Sequence, residues 1–397
     1  MRLLITIFWY VDLLFFILCT LWVAYVALFA LASRLKGNLM VKDAETQRKF
    51  AVLFPAYKED NVIRESVLRF KEQDYPAECY DIVVISDEME VRTNNDLREW
   101  GILVLHPNEI ERSKAESLKV AMAQLDDKLY DVVVIMDADN IVFPDFLCKL
   151  NNAFAVGAQA IQAHRTAKNK STTTAILDGV SEEINNSIFR LGHVRLGFPA
   201  ALIGSGMAFD FKWFKRRIAE ITSMGEDKFL EYYLLLDRMH TLYLEDVFVL
   251  DEKIQNSGDF SKQRRRWIAS QVDIFFIAIK QTGKALVSKN WALVDKIFQW
   301  SMPPRIIMLG AIPLFFLGSL FVEGSSSLKW FFLFTLYIIS LLLAIPKKLY
   351  TKQLLLAIFT LPSIFFAMLS SMINFRSGRS SFIHTKHGEV ADKEDKK

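Results

Sequence analysis

The sequence predicts an α/β domain with a largely parallel sheet, flanked by transmembrane helices. Three observations carry that expectation. Apolar, β-branched runs alternate with amphipathic stretches between residues 50 and 136. Residues 7–32 are almost continuously apolar, with Asp12 the only charge, and that length crosses a bilayer. Three more apolar runs, at residues 306–322, 330–345 and 354–375, follow the charged middle.

In order, residues 50–54, 82–85, 102–105 and 132–136 read as strands, and residues 59–73 and 113–125 as helices. The ligands of such sheets gather at the carboxyl ends of strands. The expected organisation is a membrane helix at 1–34, a catalytic domain at 48–267, interfacial amphipathic helices at 268–300, two to three membrane helices at 304–375 and a charged tail at 376–397. A secretory leader would have a shorter apolar core and a small-residue cleavage site, which the first run lacks.

The 397 residues are 52% hydrophobic, high for a soluble enzyme, while the 23% that are charged concentrate between about 34 and 290. A net charge of +3 argues against a nucleic-acid partner. Three cysteines without a C-x-x-C pair suggest neither a disulfide framework nor a zinc site. Arg34, Lys36 and Lys42 outweigh Arg2, which places the far side of the first helix, and the domain after it, in the cytoplasm. Lys347, Lys348 and Lys352 mark a second cytoplasmic loop. Three crossings would then put the basic tail outside, so parity and charge conflict there, and Pro362 offers a break in the last run.

Asp137 and Asp139 follow the strand at 132–136, and two hard oxygen ligands there suit magnesium or manganese bridging a diphosphate. A D-x-D pair also caps helices and turns. Asp87 follows another strand and suits a nucleobase or ribose. Lys114 opens a helix, where it and the helix dipole would meet phosphate. Glu226-Asp227 begins a helical stretch and offers a general base, although acids in a first turn also serve the helix itself. Glu245-Asp246 competes for that role from within a strand. Gln263, Arg266 and Trp267 lie in a basic run before an apolar helix, a pattern that suits phosphate and sugar stacking or a membrane-surface anchor.

Taken together, Pro55-Ala56-Tyr57-Lys58-Glu59, Asp87, Lys114, Asp137-Ala138-Asp139, Gly204-Ser205-Gly206, Glu226-Asp227 and Gln263-x-x-Arg266-Trp267 resemble the membrane-embedded family 2 glycosyltransferases, which include cellulose, chitin and hyaluronan synthases and bacterial exopolysaccharide enzymes. The resemblance runs from about residue 50 to 270. It implies a GT-A-like domain in which Ala56, Tyr57, Glu59 and Asp87 surround the nucleoside, Lys114 approaches the diphosphate and Asp137 with Asp139 holds Mg2+ or Mn2+. It further implies Asp227 as base, with Gln263, Arg266 and Trp267 at the acceptor and leaving diphosphate. The expected activity is inverting transfer from a nucleotide-diphosphate sugar, by family weight a UDP-sugar, to a polysaccharide or lipid-linked acceptor at the cytoplasmic face of a bacterial inner membrane, in contact with membrane lipid. The alternative is a catalytically idle nucleotide-sugar-binding partner of a polysaccharide complex. Residues 382–387, Phe-Ile-His-Thr-Lys-His, partly match the gating segment of polymer-extruding synthases, but they follow the last apolar run.

Overall fold

The computed structural model describes residues 2–37, 43–107, 113–169, 172–222, 225–253, 257–322 and 327–373. The gating-like segment at 382–387 and the whole charged tail at 376–397 lie outside them.

Eight strands form one sheet. They are β1 (Phe50–Tyr57), β2 (Tyr80–Asp87), β3 (Leu103–Leu105), β4 (Val132–Ile135), β5 (Ile141–Val142), β6 (Ala160–Ala167), β7 (Met207–Asp210) and β8 (Thr241–Asp251), in the order β3-β2-β1-β4-β7-β6-β8-β5. The first four run parallel, as expected of strands that alternate with helices. Beyond β4 the sheet turns mixed: β7 is antiparallel to both β4 and β6, and β5 to β8.

Alternation along the strands builds a core on each face. Phe50, Val52 and Phe54 of β1 face a core with Ile63, Val67, Phe70 and Phe146. Ala51 and Leu53 face the opposite core with Leu118, Phe209, Phe214 and Leu230. The helices that cover the sheet, among them Ile63–Phe70 and Lys114–Gln124, lie inside the stretches expected from sequence.

Two helices carry segments long and apolar enough to cross a membrane, Trp9–Ala32 and Ser327–Ala344. Two bent pairs have the same apolar character: Trp291–Ser301 with Arg305–Ser319, bent by 61°, and Lys352–Ile358 with Leu361–Ser370, bent by 50°. The bend in the last run falls just before Pro362. The first helix joins the others in a shared apolar cluster that includes Val23, Val26, Met308, Trp330 and Tyr337. Its Asp12 is buried, accepts from Trp330 Nε1 at 2.7 Å and is paired with Lys329, so the charge is matched inside the bundle.

The bundle docks on the domain through a π-helical turn, Asn186–Gly192. There His193 stacks on Phe29 with ring centroids 3.7 Å apart, and Tyr25 bridges His193 (2.8 Å) and Asp295 (2.9 Å). A Cβ at Gly192 would come within 2.2 Å of the Phe29 carbonyl oxygen. Gly192→Val should therefore push the first helix off the domain and destabilise the protein by about 1–3 kcal/mol. Thermal unfolding in detergent checks this, with Gly197→Val as a control at a position open to solvent but strained.

Candidate active site

The carboxyl ends of β1 and β2 stop abruptly. Lys58 and Glu88, the residues just past them, both adopt left-handed backbone (φ 55° and 51°), and Lys58 N donates to Asp87 O at 3.1 Å. Left-handed backbone at non-glycine residues is unfavourable, and here it sharpens the turns that leave Tyr57 and Asp87 at the cavity wall. At the end of β4, Asn140 fixes the Asp137–Asp139 turn. Its Oδ1 accepts from Asp137 N (3.0 Å), and its Nδ2 donates to Asp139 (3.2 Å) and to Asp251 (3.2 Å). Asp139 is buried and also accepts from Glu252 N at 2.8 Å.

Lys114 sits at the first turn of its helix, capped by Ser113. Its Nζ is paired with Asp137, donates to Gly204 O at 2.7 Å and lies 3.6 Å from Glu226. Burial disfavours the ammonium, but Asp137 and Glu226 outweigh burial and hold the Lys114 pKa above the ordinary lysine range. Glu226 is itself pushed above the ordinary carboxylate range by burial, with Asp227 adding to the shift and Lys114 opposing it. The loop carrying Gly204 is pinned from below by buried Gln162, which accepts from Ile203 N and donates to Ser205 O.

Glu226 and Asp227 open the helix Glu226–Leu236 behind Gly225, whose φ is +96°. A Cβ on Gly225 would lie 2.7 Å from Ser270 Oγ, so only glycine lets this turn rest on the neighbouring helix. That neighbour, Ser257–Ala278, contains the basic run, which the sequence had placed ahead of a helix beginning near 268. Helical geometry explains the spacing of Gln263, Arg266, Trp267 and Ser270: positions i, i+3, i+4 and i+7 share one face, and all four line the cavity. Arg264 lies 4.5 Å from the Trp267 ring centroid and is paired with Asp178. Ile274 and Ala278 pack against Tyr232, Leu235 and Trp300, which seats this helix on the domain.

The site residues expected from the sequence, Ala56, Tyr57, Glu59, Asp87, Lys114, Asp137, Asp139, Asp227, Gln263, Arg266 and Trp267, line one cavity of about 1130 Å3. The competing Asp246 does not. It lines a separate surface recess with Glu245, Arg195 and Lys36.

Sequence reasoning missed a buried charge network beside Asp137. Glu182 pairs with Arg165 (3.1 Å), Arg190 (3.3 Å) and Lys253 (3.6 Å), while Lys253 reaches Asp251 at 2.8 Å. Arg165 also lies 3.7 Å from Asp137. The signal was present in part: Asp251 ends a long strand and Lys253 follows it, and Asp178, Ser181 and Glu182 share a face of the helix Thr173–Asn185 by the i, i+3, i+4 rule.

Among the described residues no three His, Cys, Asp or Glu side chains converge as a complete metal-ligand set. Asp137 and Asp139 are nevertheless hard oxygen donors on the cavity wall, and Asp137 is only partly buried. This donor set fits Mg2+ or Mn2+ shared with a diphosphate rather than a closed protein cage.

The fold is GT-A-like, an α/β sheet with carboxylate, lysine and arginine side chains gathered at one cavity beside its strand ends. Residues 47–270, more than half of the chain, match the family described as Glycosyltransferase like family 2, and the chain belongs to that family. Among curated relatives, the uncharacterized glycosyltransferase YkcC of Bacillus subtilis (strain 168) is 25% identical over 126 residues, 31% of this chain and 39% of that one. The probable glycosyltransferase YdaM of the same organism is 27% identical over 99 residues, 23% of each. The chain thus matches well under half the length of these relatives. Among solved structures, the mannosyltransferase PcManGT from Pyrobaculum calidifontis, in complex with GDP-Man and Mn2+, shares the fold with a TM-score of 0.59 at 16% identity, covering 90% of this chain and 98% of that one.

The Glu182 network makes an acid-stability prediction. Burial alone would raise the Glu182 pKa, but Arg165, Lys253 and Arg190 bring it from the ordinary 4.5 to about 2. A depressed folded-state pKa contributes stability above pH 4.5, and that contribution is lost as the pH falls toward 2. Glu182→Gln should destabilise the protein by about 3–5 kcal/mol near neutral pH, because the cations stay buried without their partner. Unfolding curves from pH 7 to 3 should also show a shallower acid limb for the variant.

Proposed function

We propose that the chain transfers a sugar from a nucleotide diphosphate to an acceptor at the cytoplasmic face of a membrane, with inversion at the anomeric carbon and with Mg2+ or Mn2+ bound at Asp137 and Asp139. The observation that carries this reading is the single cavity that collects the nucleoside-side, diphosphate-side and acceptor-side residues and continues between the membrane-type helices. Nucleotide-sugar donors are the chemistry of the mannosyltransferase with the same fold, which holds GDP-Man and Mn2+.

In this reading Tyr57, Glu59 and Asp87 hold the nucleoside at the ends of β1 and β2. Lys114, tethered by Gly204 O, turns from Asp137 toward the diphosphate and neutralises the charge that grows on it. The metal, when bound, supplies further charge neutralisation to the leaving diphosphate. Asp227, on the first turn of its helix, takes the proton of the acceptor hydroxyl. Gln263, Arg266 and Trp267 line the acceptor end from one helix face. One base and one displacement give inversion, so an α-linked donor gives a β-linked product.

The apolar part of the cavity favours a lipid-linked acceptor over a growing polysaccharide. Met308, Leu309, Leu341, Leu354, Ile358 and Met368 wall it, and a hydrated sugar chain gains nothing from them. The lysines of the 347–352 loop support the cytoplasmic side in this reading. Lys348 reaches the Phe248 ring of the domain (5.8 Å), which keeps that loop beside the catalytic domain.

The test is nucleotide release by purified protein in nanodiscs, with Mg2+ or Mn2+, a panel of UDP-, GDP- and dTDP-sugars and a membrane lipid extract as acceptor. Release from one donor, abolished by a chelator, is expected. Asp227→Asn should lower it by about 100-fold or more, the scale of a lost general base. Asp246→Asn should stay near wild type. Equal release by Asp227→Asn would remove that residue as base, and tight nucleotide binding without release would make the chain an idle binding partner. A separate prediction concerns Lys114→Met, which should weaken nucleoside diphosphate binding by about tenfold or more, read by titration calorimetry.

A further inference from the structure

Resting on the transferase reading above, we infer that Glu231 is a positioning residue for the transfer. Through the backbone of Leu202 it fixes the spacing between the helix that carries Asp227 and the loop that tethers Lys114. Glu231 stands one turn after Asp227 on the helix Glu226–Leu236, and both line the cavity. Its Oε1 accepts from Leu202 N at 3.1 Å. Lys296 Nζ lies 3.0 Å from the same oxygen, as an ion pair without hydrogen-bond geometry. Among the described residues, the directed bond of this carboxylate is therefore the one from Leu202.

Leu202 begins a segment that is held at successive residues. Leu202 N donates to Glu231, Ile203 N donates to Gln162 Oε1 at 3.0 Å, and Gly204 O accepts from Lys114 Nζ at 2.7 Å. One chain of contacts thus runs from Asp227 through a helical turn to Glu231, and from Leu202 through Gly204 to Lys114. Gln162 anchors the segment on the sheet. Glu231 aligns it with the helix of Asp227.

Glu231 and Lys296 are 3% and 1% exposed. A carboxylate at that depth is unfavourable without a cation, and Lys296 supplies one. The cation is itself seated by the helix Trp291–Ser301. There the adjacent Asp295 accepts from Tyr25 of the first membrane-type helix at 2.9 Å, and Ile297 and Trp300 pack with Tyr232 and Leu235. In the transfer the accepting oxygen bonds to the anomeric carbon as the bond from that carbon to the diphosphate oxygen breaks. The bonding pair leaves on the diphosphate, and the acceptor hydroxyl gives its proton to Asp227. Base and diphosphate thus stand at opposite ends of one reaction line, and a misplacement of about 1 Å there costs about 100-fold in rate.

The experiment compares Glu231→Asp with the double variant Glu231→Gln/Lys296→Met in full-length protein, using the nanodisc release assay and the donor it identifies. Aspartate keeps the charge opposite Lys296 but stops one methylene short of Leu202 N. Glutamine with methionine removes both charges and keeps an oxygen within reach of that N–H. Glu231→Asp should lower kcat by about tenfold or more, with donor KM and nucleoside diphosphate binding within about threefold of wild type. The double variant should stay within about threefold of wild type in kcat. In an Asp227→Asn background, Glu231→Asp should add less than about threefold, because both changes act on the same step. A role confined to holding the fold by charge predicts the reverse order of the two variants. A double variant impaired as much as Glu231→Asp or more, a Glu231→Asp kcat equal to wild type, or losses that multiply in full with Asp227→Asn would overturn the inference. Wild-type protein that releases nucleotide from no donor, or Asp227→Asn at the wild-type rate, would instead remove the reading beneath it.

Discussion

The structure depends on the pairing of charges that the fold takes out of water around Glu182. An ion moved into a protein interior loses hydration worth several kcal/mol, so it persists only with a partner in place. Here Arg165 comes from the end of β6, Asp251 and Lys253 from the end of β8, and Arg190 from the π-helical turn that meets the first membrane-type helix. Satisfying one carboxylate thus fixes two strand ends, a helix and a docking turn against each other. Through Arg165, 3.7 Å from Asp137, the same network sets the electrostatics of the proposed diphosphate side. The aspartate that the proposed mechanism leaves beside Lys114 and a metal is held by a framework that cannot move one charge without exposing another.

A second constraint links the site to the apolar helices. The helix Thr173–Asn185 presents Asp178, Ser181 and Glu182 on one face, and these take Arg264, Arg305 and the Arg165 group in turn. One helix therefore joins the basic helix, the start of a membrane-type helix and the strand ends. The cavity between them is continuous from Asp87 to Met368, so a water-soluble donor and an acceptor with an apolar chain can meet without either crossing the other's medium.

Much of this was legible in the chain. The strands β1, β2 and β4 carry unbroken apolar runs bounded by polar turns, and the site residues read at their ends and at helix starts line the cavity. β6 and β7 were not legible: Ile161 is their one β-branched aliphatic residue, and Gln162 and Arg165 break the apolar pattern because each is buried with a partner supplied by another element. The start of the helix Ser257–Ala278 was read too late, near 268, because its first turns carry Ser257, Gly258 and the basic run, which obscure the apolar period. The Glu182 and Arg305 pairings join residues far apart in the sequence, and no local pattern encodes such a contact.

The most direct measurement is a structure of the protein with a non-hydrolysable donor analogue and Mn2+. The account predicts the diphosphate within hydrogen-bond reach of Lys114, a cation shared between it and Asp137 and Asp139, and the anomeric carbon facing Asp227 with room for one acceptor oxygen between them. A nucleotide seated away from Asp87 and Lys114, or a sugar whose anomeric carbon faces away from Asp227, would contradict it.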